Sequence, residues 1–416
     1  MRTRISQWFD ALRTGFWFVP SIMLGLAAGL ALTLLYVDKR FDPGIKESIA
    51  WAYSGGPEGA RSLLSTIAGS MITAASVTFS LAAVALSIAS QQYGSRVLRN
   101  FMRDRITQVL LGTFVSTFLY SVLVVRDIRG SDFSGGFVPA IAITIAIAMS
   151  LISLVMLVYF VHHVSSSIQA SHIVSTISKD MEESIPKLYP SNAGKPAAVD
   201  GGLNETRGQE GLSIRVRKDG YLETIDIDAL LQLATRSDFF LEIVSKPGDH
   251  LVQLTPIATI WSVGPMDEKL EKKLLGAFLI GASRTPAQDI RYQFQQLTDV
   301  VVRALSPGIN DPFTAINGID ALTSALALLA RRPRIPKHRQ DDQGTPRLLV
   351  AQPEIGEILH STVGHIVVYA AGDPFVMTKL QCLLDIIEPD LTESSEFTAL
   401  HSLRGELKRQ QQDKEG

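Results

Sequence analysis

The sequence predicts a membrane α-helical fold with four transmembrane helices, followed by a C-terminal soluble α+β domain. In that domain a small β-rich subdomain precedes a run of helices. Apolar residues concentrate before residue 165, where four stretches reach the roughly 20 residues that a bilayer crossing requires. After residue 211, short apolar runs between turn residues indicate strands. Beyond residue 265 the apolar residues instead recur with the period of amphipathic helices.

The four predicted spans cover residues 16–37, 67–90, 106–125 and 137–161. The first span follows Arg2, Arg4 and Arg13, as a signal peptide would, but it is longer than a typical signal and three more spans follow. We therefore interpret it as an uncleaved anchor behind a short N-terminal segment, residues 1–15. The four stretches contain no acidic or basic residue, which argues against a proton-coupled pump and is compatible with a passive pore.

The distribution of basic residues predicts the orientation. They are densest at the N-terminus and in the loop between spans two and three, which four spans place on the same side. The positive-inside rule makes that side cytoplasmic, together with both termini and the soluble domain. In the same loop Arg96, Arg99 and Arg103 recur at helical spacing. They favour either an ordinary cytoplasmic turn or a segment that binds anionic lipid.

Composition excludes several function classes. The chain of 416 residues has a formal net charge of −2, which gives no reason to expect nucleic-acid binding. Its single cysteine, Cys382, rules out an intrachain disulfide framework and a cysteine metal cluster. We find no phosphate-binding glycine loop, no nucleophile elbow and no zinc-protease motif, so no catalytic residue, metal ligand or cofactor is predicted.

The second span carries a line of small residues. Spacings of three and four alternate along it, so all of them fall on one helix face. The residues of this stripe are Thr66, Gly69, Thr73, Ser76, Ser80, Ala83, Ser87, Ser90 and Gly94. Small residues let helices pack closely, and hydroxyls also suit the lining of a polar pathway. Both interpretations remain open, and they are compatible if the helix lies near the axis of a homo-oligomer.

Downstream of the spans we expect three segments. Residues 166–211 predict a stalk helix followed by a flexible linker. Residues 212–265 predict the β-rich subdomain, with strands at 212–216, 239–244, 251–254 and 257–263 and a short helix at 227–235. Residues 266–416 predict the helical soluble domain, with a first helix at 266–280 and a charged, proline-containing loop at 331–347.

Two motifs in this domain are distinctive. Arg284 begins the run Arg-Thr-Pro-Ala-Gln-Asp, which ends at Gln288 and Asp289, and Ala304 begins the run Ala-Leu-Ser-Pro-Gly-Ile-Asn-Asp-Pro-Phe-Thr-Ala. In the second run Pro-Gly ends one helix, and Asn310 or Asp311 caps the next. The alternative is a ligand or anion site at that helix N-terminus, formed by Arg284, Gln288, Asp289, Arg303, Asn310 and Asp311.

These two runs resemble the hallmark of a bacterial family of predicted membrane proteins called domain of unknown function 2254. The resemblance extends through the small-residue span, the basic loop at 91–104 and the Pro-Gly-Asp turn at 247–249, so it covers nearly the whole chain. It implies a multi-pass protein of the bacterial inner membrane with this domain order, and it implies no particular activity.

Three functions are compatible with these observations. The first is a homo-oligomeric, channel-like or transport assembly with the second span at its centre. The second is a membrane-anchored sensor or scaffold whose soluble domain binds a ligand or partner near Arg284, Asp289 and Asn310. A membrane enzyme is the third, and the absence of a catalytic motif places it last.

Overall fold

The structure is a computed structural model. It describes residues 17–40, 53–93, 104–129, 137–167, 169–190, 211–262, 267–370 and 373–415. The chain forms two compact units, which meet in the sequence at His172 and Ile173. Each unit is described by itself.

The first unit is a bundle of four long helices. They are α1 (Phe18–Arg40), α2 (Pro57–Tyr93), α3 (Arg105–Asp127) and α4 (Ala140–Ser167). Helix α3 is the central one, because it packs extensively against both α1 and α2 and also contacts α4. Its Gly112 allows the closest approach to α1, since a Cβ there would overlap Met23. The outward face of α4 is aliphatic, with Leu151, Val155 and Val158 all largely exposed.

These helices extend past the apolar stretches that predicted them. Helix α2 begins at Pro57 rather than at residue 67, because proline and an acidic residue, Glu58, suit a first helical turn outside the hydrocarbon region. At 37 residues it is about 55 Å long, longer than the roughly 30 Å core of a bilayer. Helix α4 likewise continues past residue 161 to Ser167.

The second unit mixes helices and strands. In chain order it contains α5 (Ala170–Leu188), β1 (Leu212–Arg215), β2 (Gly220–Ile225), α6 (Ile227–Arg236), β3 (Phe239–Ile243), β4 (His250–Leu251), β5 (Pro256–Ser262), α7 (Glu268–Leu275), β6 (Phe278–Gly281), α8 (Ile290–Ala304), α9 (Pro312–Ala330), β7 (His338–Gln340), β8 (Pro346–Val350), α10 (Ile355–Leu359), a π-turn (His360–Gly364), α11 (His365–Ala370), α12 (Pro374–Ile387), a 3₁₀ turn (Glu388–Asp390) and α13 (Ser394–Glu415).

The strands form two sheets around one apolar core. The larger sheet has the order β1-β5-β3-β8-β7, antiparallel except where β8 pairs parallel with β3. The smaller sheet, β4-β2-β6, is antiparallel throughout. Side chains from both sheets and from α6 and α7 share the core, including Leu222, Leu230 and Leu241.

The remaining helices pack in a layer of their own. Helix α9 lies against α8 and α12, and α13 packs against α10 and α12. Gly318 lets α9 approach α8, because a Cβ there would overlap Val301. Helix α5 belongs to this unit through its apolar face, with Ile177, Met181 and Ile185 buried.

The strand pattern departs from the expected division at residue 265. The helix expected at 266–280 ends at Leu275 and is followed by strand β6, which pairs with β2. The loop expected at 331–347 contains β7 and the start of β8. Strands β7 and β8 carry arginine, histidine and proline, so their sequences lack the alternation that predicts strands. Because β8 joins the larger sheet, residues 212–265 do not close a subdomain by themselves.

Five helices in the described residues are long and apolar enough to cross a membrane, so the expected number of four is not confirmed by length and composition. Four of them are α1 to α4, and the fifth is α9. The exposed positions of α9 include Asn317, Asp320 and Ser324, and Asp320 pairs with Lys379 at 2.6 Å. This outward face is polar, unlike that of α4.

Candidate functional site

The small-residue stripe lies on the outside of the bundle. Its side chains from Thr66 to Ser87 are all exposed in the single chain. The opposite face of α2 is the buried one, with Leu64, Ala75 and Ala85 turned inward. The side chain of Ser90 and all of Gly94 lie outside the described residues. The chain's own helices therefore leave the described part of the stripe uncovered.

Four of the stripe hydroxyls are satisfied within the helix. Each donates to a carbonyl one turn earlier: Thr66 to Ser62 at 2.8 Å, Thr73 to Gly69 at 2.8 Å, Ser76 to Ile72 at 2.9 Å and Ser80 to Ser76 at 2.9 Å. These bonds remove the cost of an unpaired donor in hydrocarbon. They leave oxygen lone pairs at the surface, so the stripe offers uncharged acceptors.

Larger side chains border the stripe on both sides. Ile72 and Phe79 each precede a stripe position by one residue, and Val77, Leu81, Val84 and Ile88 each follow one; all are exposed. The result is a shallow groove between two apolar ridges. This shape fits an approaching helix that presents the same pattern.

Two acidic residues at the ends of the bundle hold it together, and both lie just outside the predicted spans. Asp38, which is 1% exposed at the end of α1, accepts hydrogen bonds from the amides of Ala142 (2.9 Å) and Ile141 (3.3 Å). It therefore caps α4 from another helix. Asp104 caps α3 through the Ile106 amide and lies 2.8 Å from Nε2 of His163.

In the second unit, the Arg284 motif and the Pro-Gly-Asp turn come together. Asp289, 1% exposed, is the N-cap of α8, and Arg284 Nε donates to its Oδ2 at 2.7 Å. Arg291 Nη2 donates to Asp249 Oδ1 at 2.7 Å and to the Pro247 carbonyl at 2.8 Å. Its Nε lies 3.8 Å from Asp289 Oδ1, so this arginine lies between the two carboxylates.

The turn residue Gly248 is fixed by this cluster. Its φ is +93°, and a Cβ there would overlap the Asp289 carboxylate. Gln288 acts elsewhere, because its side-chain amide exchanges two hydrogen bonds with the backbone of Ile225. The two arginines face two carboxylates, so the cluster presents no net positive charge to an anion.

The other half of the expected site lies at the far end of α8. Asp311 caps α9 by accepting from the amide (3.0 Å) and hydroxyl (2.6 Å) of Thr314, and these bonds lower the pKa of its carboxyl. Asn310 sits beside it with φ +47°. Arg303 is in the last turn of α8, which has 15 residues and is about 22 Å long. Arg303, Asn310 and Asp311 are thus separated from Arg284, Gln288 and Asp289, and the anion site stays a prediction.

A small cavity lies beside the end of α5. It has a volume of about 40 Å³, and Tyr189, Arg334, Lys337 and Glu396 are among its lining residues. Burial, the largest effect, raises the pKa of Tyr189 to about 12. Burial would also raise the pKa of Glu396, but hydrogen bonds from Arg334 and from the amides of Thr392 and Glu393 bring it below its ordinary value. Across the described residues, no group of three or more histidine, cysteine or acidic side chains could hold a metal ion.

A family model described as "Predicted membrane protein (DUF2254)" matches residues 13–385. The chain belongs to this family. It is 28% identical over 414 residues to Uncharacterized protein Mb1321c of Mycobacterium bovis and to Uncharacterized protein Rv1290c of Mycobacterium tuberculosis. Each alignment covers 97% of this chain and 77% of the relative. No solved structure matches the chain with significance.

In this DUF2254 protein, several of the contacts described above were not anticipated from sequence. Asp38 directly follows an apolar run, and an acid at such a boundary is the signal that could have found its cap. Asp249 and Arg291 are 42 residues apart, and no local pattern joins them. The basic loop residues Arg96, Arg99 and Arg103 lie outside the described residues, so lipid binding there stays a prediction.

Proposed function

We propose that this DUF2254 protein is a homo-oligomeric assembly of the bacterial inner membrane, with α2 at its centre, that passes an ion or small solute. The uncovered stripe on α2 is the observation that carries the proposal. A groove of small residues between apolar ridges suits a second copy of the same helix better than it suits lipid chains. The exposed hydroxyl oxygens would then line or flank the symmetry axis.

The proposal includes four spans, with both termini and the second unit on the cytoplasmic side. Helix α9 is left out of the membrane because its exposed positions carry Asn317, Asp320 and Ser324. An acidic side chain on a lipid-facing surface would cost several kcal/mol.

Cysteine labelling tests this topology in a Cys382→Ser background. An impermeant maleimide should label Ser54→Cys from outside intact cells and Ser324→Cys only after the cells are opened; the reverse pattern would refute the topology.

Disulfide trapping in native membranes tests the position of α2. We expect oxidation to join two chains through Ser76→Cys or Ser80→Cys. The matched control is Val155→Cys, on the aliphatic face of α4, where the side chain is 69% exposed. If the α4 position cross-links as well as the stripe does, or if the stripe does not cross-link, α2 is not central.

A second experiment distinguishes a stripe that only packs helices from one that lines a solute pathway. A water-soluble cationic thiol reagent should modify Ser80→Cys in proteoliposomes if the stripe faces water. Replacement by leucine at Ser80 should then reduce solute flux, whereas Val155→Leu on α4 should not. Cross-linking at the stripe without thiol modification or flux would mean that the stripe only packs helices.

A membrane-anchored sensor or scaffold is the second candidate. It is favoured by α5, which follows span α4 after two residues and packs into the second unit through its buried face and a 2.6 Å hydrogen bond from Ser184 to Gln293. Ligand binding in that unit would act on α5. A thermal-shift screen of the full chain with small carboxylates and phosphates tests this, and a screen in which none of these compounds raises the melting temperature would count against it.

A further inference from the structure

Two neighbouring helices of the second unit begin with the same three residues, Asp-Pro-Phe. In α9 they are residues 311–313 and in α12 residues 373–375. The aspartate caps the helix in both cases, and proline occupies the first turn. Phe313 and Phe375 are therefore held at the helix starts with their rings outward, and they are 80% and 75% exposed.

The two helix starts lie at the same end of the unit. Asp320 of α9 pairs with Lys379 of α12, and Arg331 after α9 pairs with Asp390 after α12. Both ion pairs join positions that are 59 residues apart. The helices consequently run parallel, with axes about 8–10 Å apart. Phe313 and Phe375 lie within about one helical turn of the same level, so their rings share a surface.

Other apolar side chains adjoin these rings along the chain. Ile309, just before α9, is 46% exposed. Val368 and Tyr369, at the end of α11, are 65% and 46% exposed and precede α12 in the chain. We call Ile309, Phe313, Val368, Tyr369 and Phe375 the apolar end. Exposed large apolar side chains clustered in this way mark interaction surfaces.

We propose that the apolar end docks on the lipid bilayer in which the same chain is anchored. Residues 168 and 169 alone separate α4 from α5, so the unit is tethered close to a bilayer and the second contact is intramolecular. The surface suits lipid by its charge as well. Asp311 and Asp373 are both engaged as helix caps, and Asn310 and Pro374 beside them are neutral. At each helix start the positive end of the helix dipole offsets the charge of the ionised carboxylate, so the aromatic and aliphatic side chains can enter the headgroup layer.

Lipid-attached quenchers test the proposal on the full chain. In a Cys382→Ser background, Phe313→Cys and Phe375→Cys would each carry an environment-sensitive fluorophore, with Ser324→Cys on the exposed face of α9 as the matched control. The protein is reconstituted in vesicles of phosphatidylcholine and phosphatidylglycerol. Lipids labelled with nitroxide high on the acyl chain should quench the first two labels at least about twofold more than the control, and aqueous iodide should quench them less.

Two results would overturn the proposal. If iodide quenches all three labels equally, the apolar end is free in solution. If the first two labels are shielded from iodide but not quenched by lipid nitroxides, a protein surface such as a second copy covers them. Circular dichroism confirms that each variant folds, and Ile309→Cys replaces any position that fails.

Discussion

Two carboxylates, one in each unit, are buried to the same extent but stabilised differently. Asp38 and Asp289 are each 1% exposed, and each lies at the N-terminus of a helix. Asp38 accepts from amides of α4 across the bundle, whereas Asp289 accepts from an amide of its own helix and from Arg284. In the first unit the end of a helix supplies donors and positive potential, and in the second unit a guanidinium group adds a full charge.

The difference follows from what each surrounding medium permits. Asp38 is buried, so a cation beside it would have to be desolvated with the carboxylate, whereas backbone amides at a helix start need a partner in any case. In the second unit, Arg284 and Arg291 reach the carboxylates from partly exposed positions. Loss of a carboxylate should therefore cost more where it leaves a charged arginine behind, and four predictions test that comparison.

The largest effect is expected for Asp289→Ala. Removing this carboxylate leaves Arg284 partly buried without its ion-pair partner, which should cost about 3–5 kcal/mol in the free energy of unfolding. Hydrogen–deuterium exchange of α8 peptides in the full chain measures the loss. Glu182→Ala, on the exposed face of α5, is the control and should change stability by less than about 0.5 kcal/mol. Equal exchange in the two variants would contradict the role of the cluster.

Gly248→Ala should have the next largest effect. The residue has φ +93°, and an added Cβ would displace the Asp289 carboxylate. We expect a loss of about 1–3 kcal/mol. Gly344 is a matched control, because its φ is +83° and no atom lies within 4 Å of an added Cβ. If the melting temperature falls equally for Gly248→Ala and Gly344→Ala, backbone strain alone accounts for the loss of stability.

Asp38→Ala should cost less than Asp289→Ala, about 0.5–2 kcal/mol, because the hydrogen bonds described for its carboxylate come from the amides of α4 and not from a guanidinium group. The melting temperature of the purified protein in detergent measures this, with exchange of α4 peptides to locate it. Asp38→Asn keeps an acceptor and should recover part of the loss. A cost above that of Asp289→Ala would reverse the comparison.

The smallest effect is a dependence of stability on pH through Glu396. Like Asp289, this buried carboxylate is paired with an arginine, Arg334. Its folded pKa lies below its ordinary value of 4.5, so its contribution is complete above that value and declines as the pH falls through the folded pKa. Unfolding midpoints measured from about pH 6 down to about pH 3 should fall less in Glu396→Gln than in the parent. Identical pH profiles would show that Glu396 does not contribute.

Helix caps and apolar strands were predictable from the sequence, but contacts between residues far apart in the chain were not. Asp311 and Pro312 predict the start of α9 by capping preference alone, and the strand β5 follows from its apolar run. Strands β7 and β8 were missed because their fit to the larger sheet depends on β3, about 100 residues earlier in the chain. Likewise, nothing local indicates that Arg291 contacts Asp249.

The membrane part shows a related limit. Apolar composition selects α9 as readily as α1 to α4, yet the exposed positions of α9 are largely polar and those of α4 are aliphatic. Hydropathy averages over all faces of a helix, so it cannot tell a helix surrounded by protein from one facing lipid. For the candidate site, sequence placed the stripe on one face of α2, and only the packing of α3 shows that this face points outward.

The hydrogen bonds between Gln288 and Ile225 affect the tendency of the protein to aggregate at high concentration. Strand β4 is only two residues long, so it covers only the first part of β2 on that side. The amide of Gln288 supplies one donor and one acceptor to Ile225, at 3.2 and 2.9 Å, as a neighbouring strand would. The side chain of Gln288 thus covers an exposed edge of β2 to which a strand of another molecule could otherwise add. Replacement of Gln288 by alanine should cost about 1–3 kcal/mol, because the Ile225 amide and carbonyl lose their partner, and should make the protein prone to aggregate during expression.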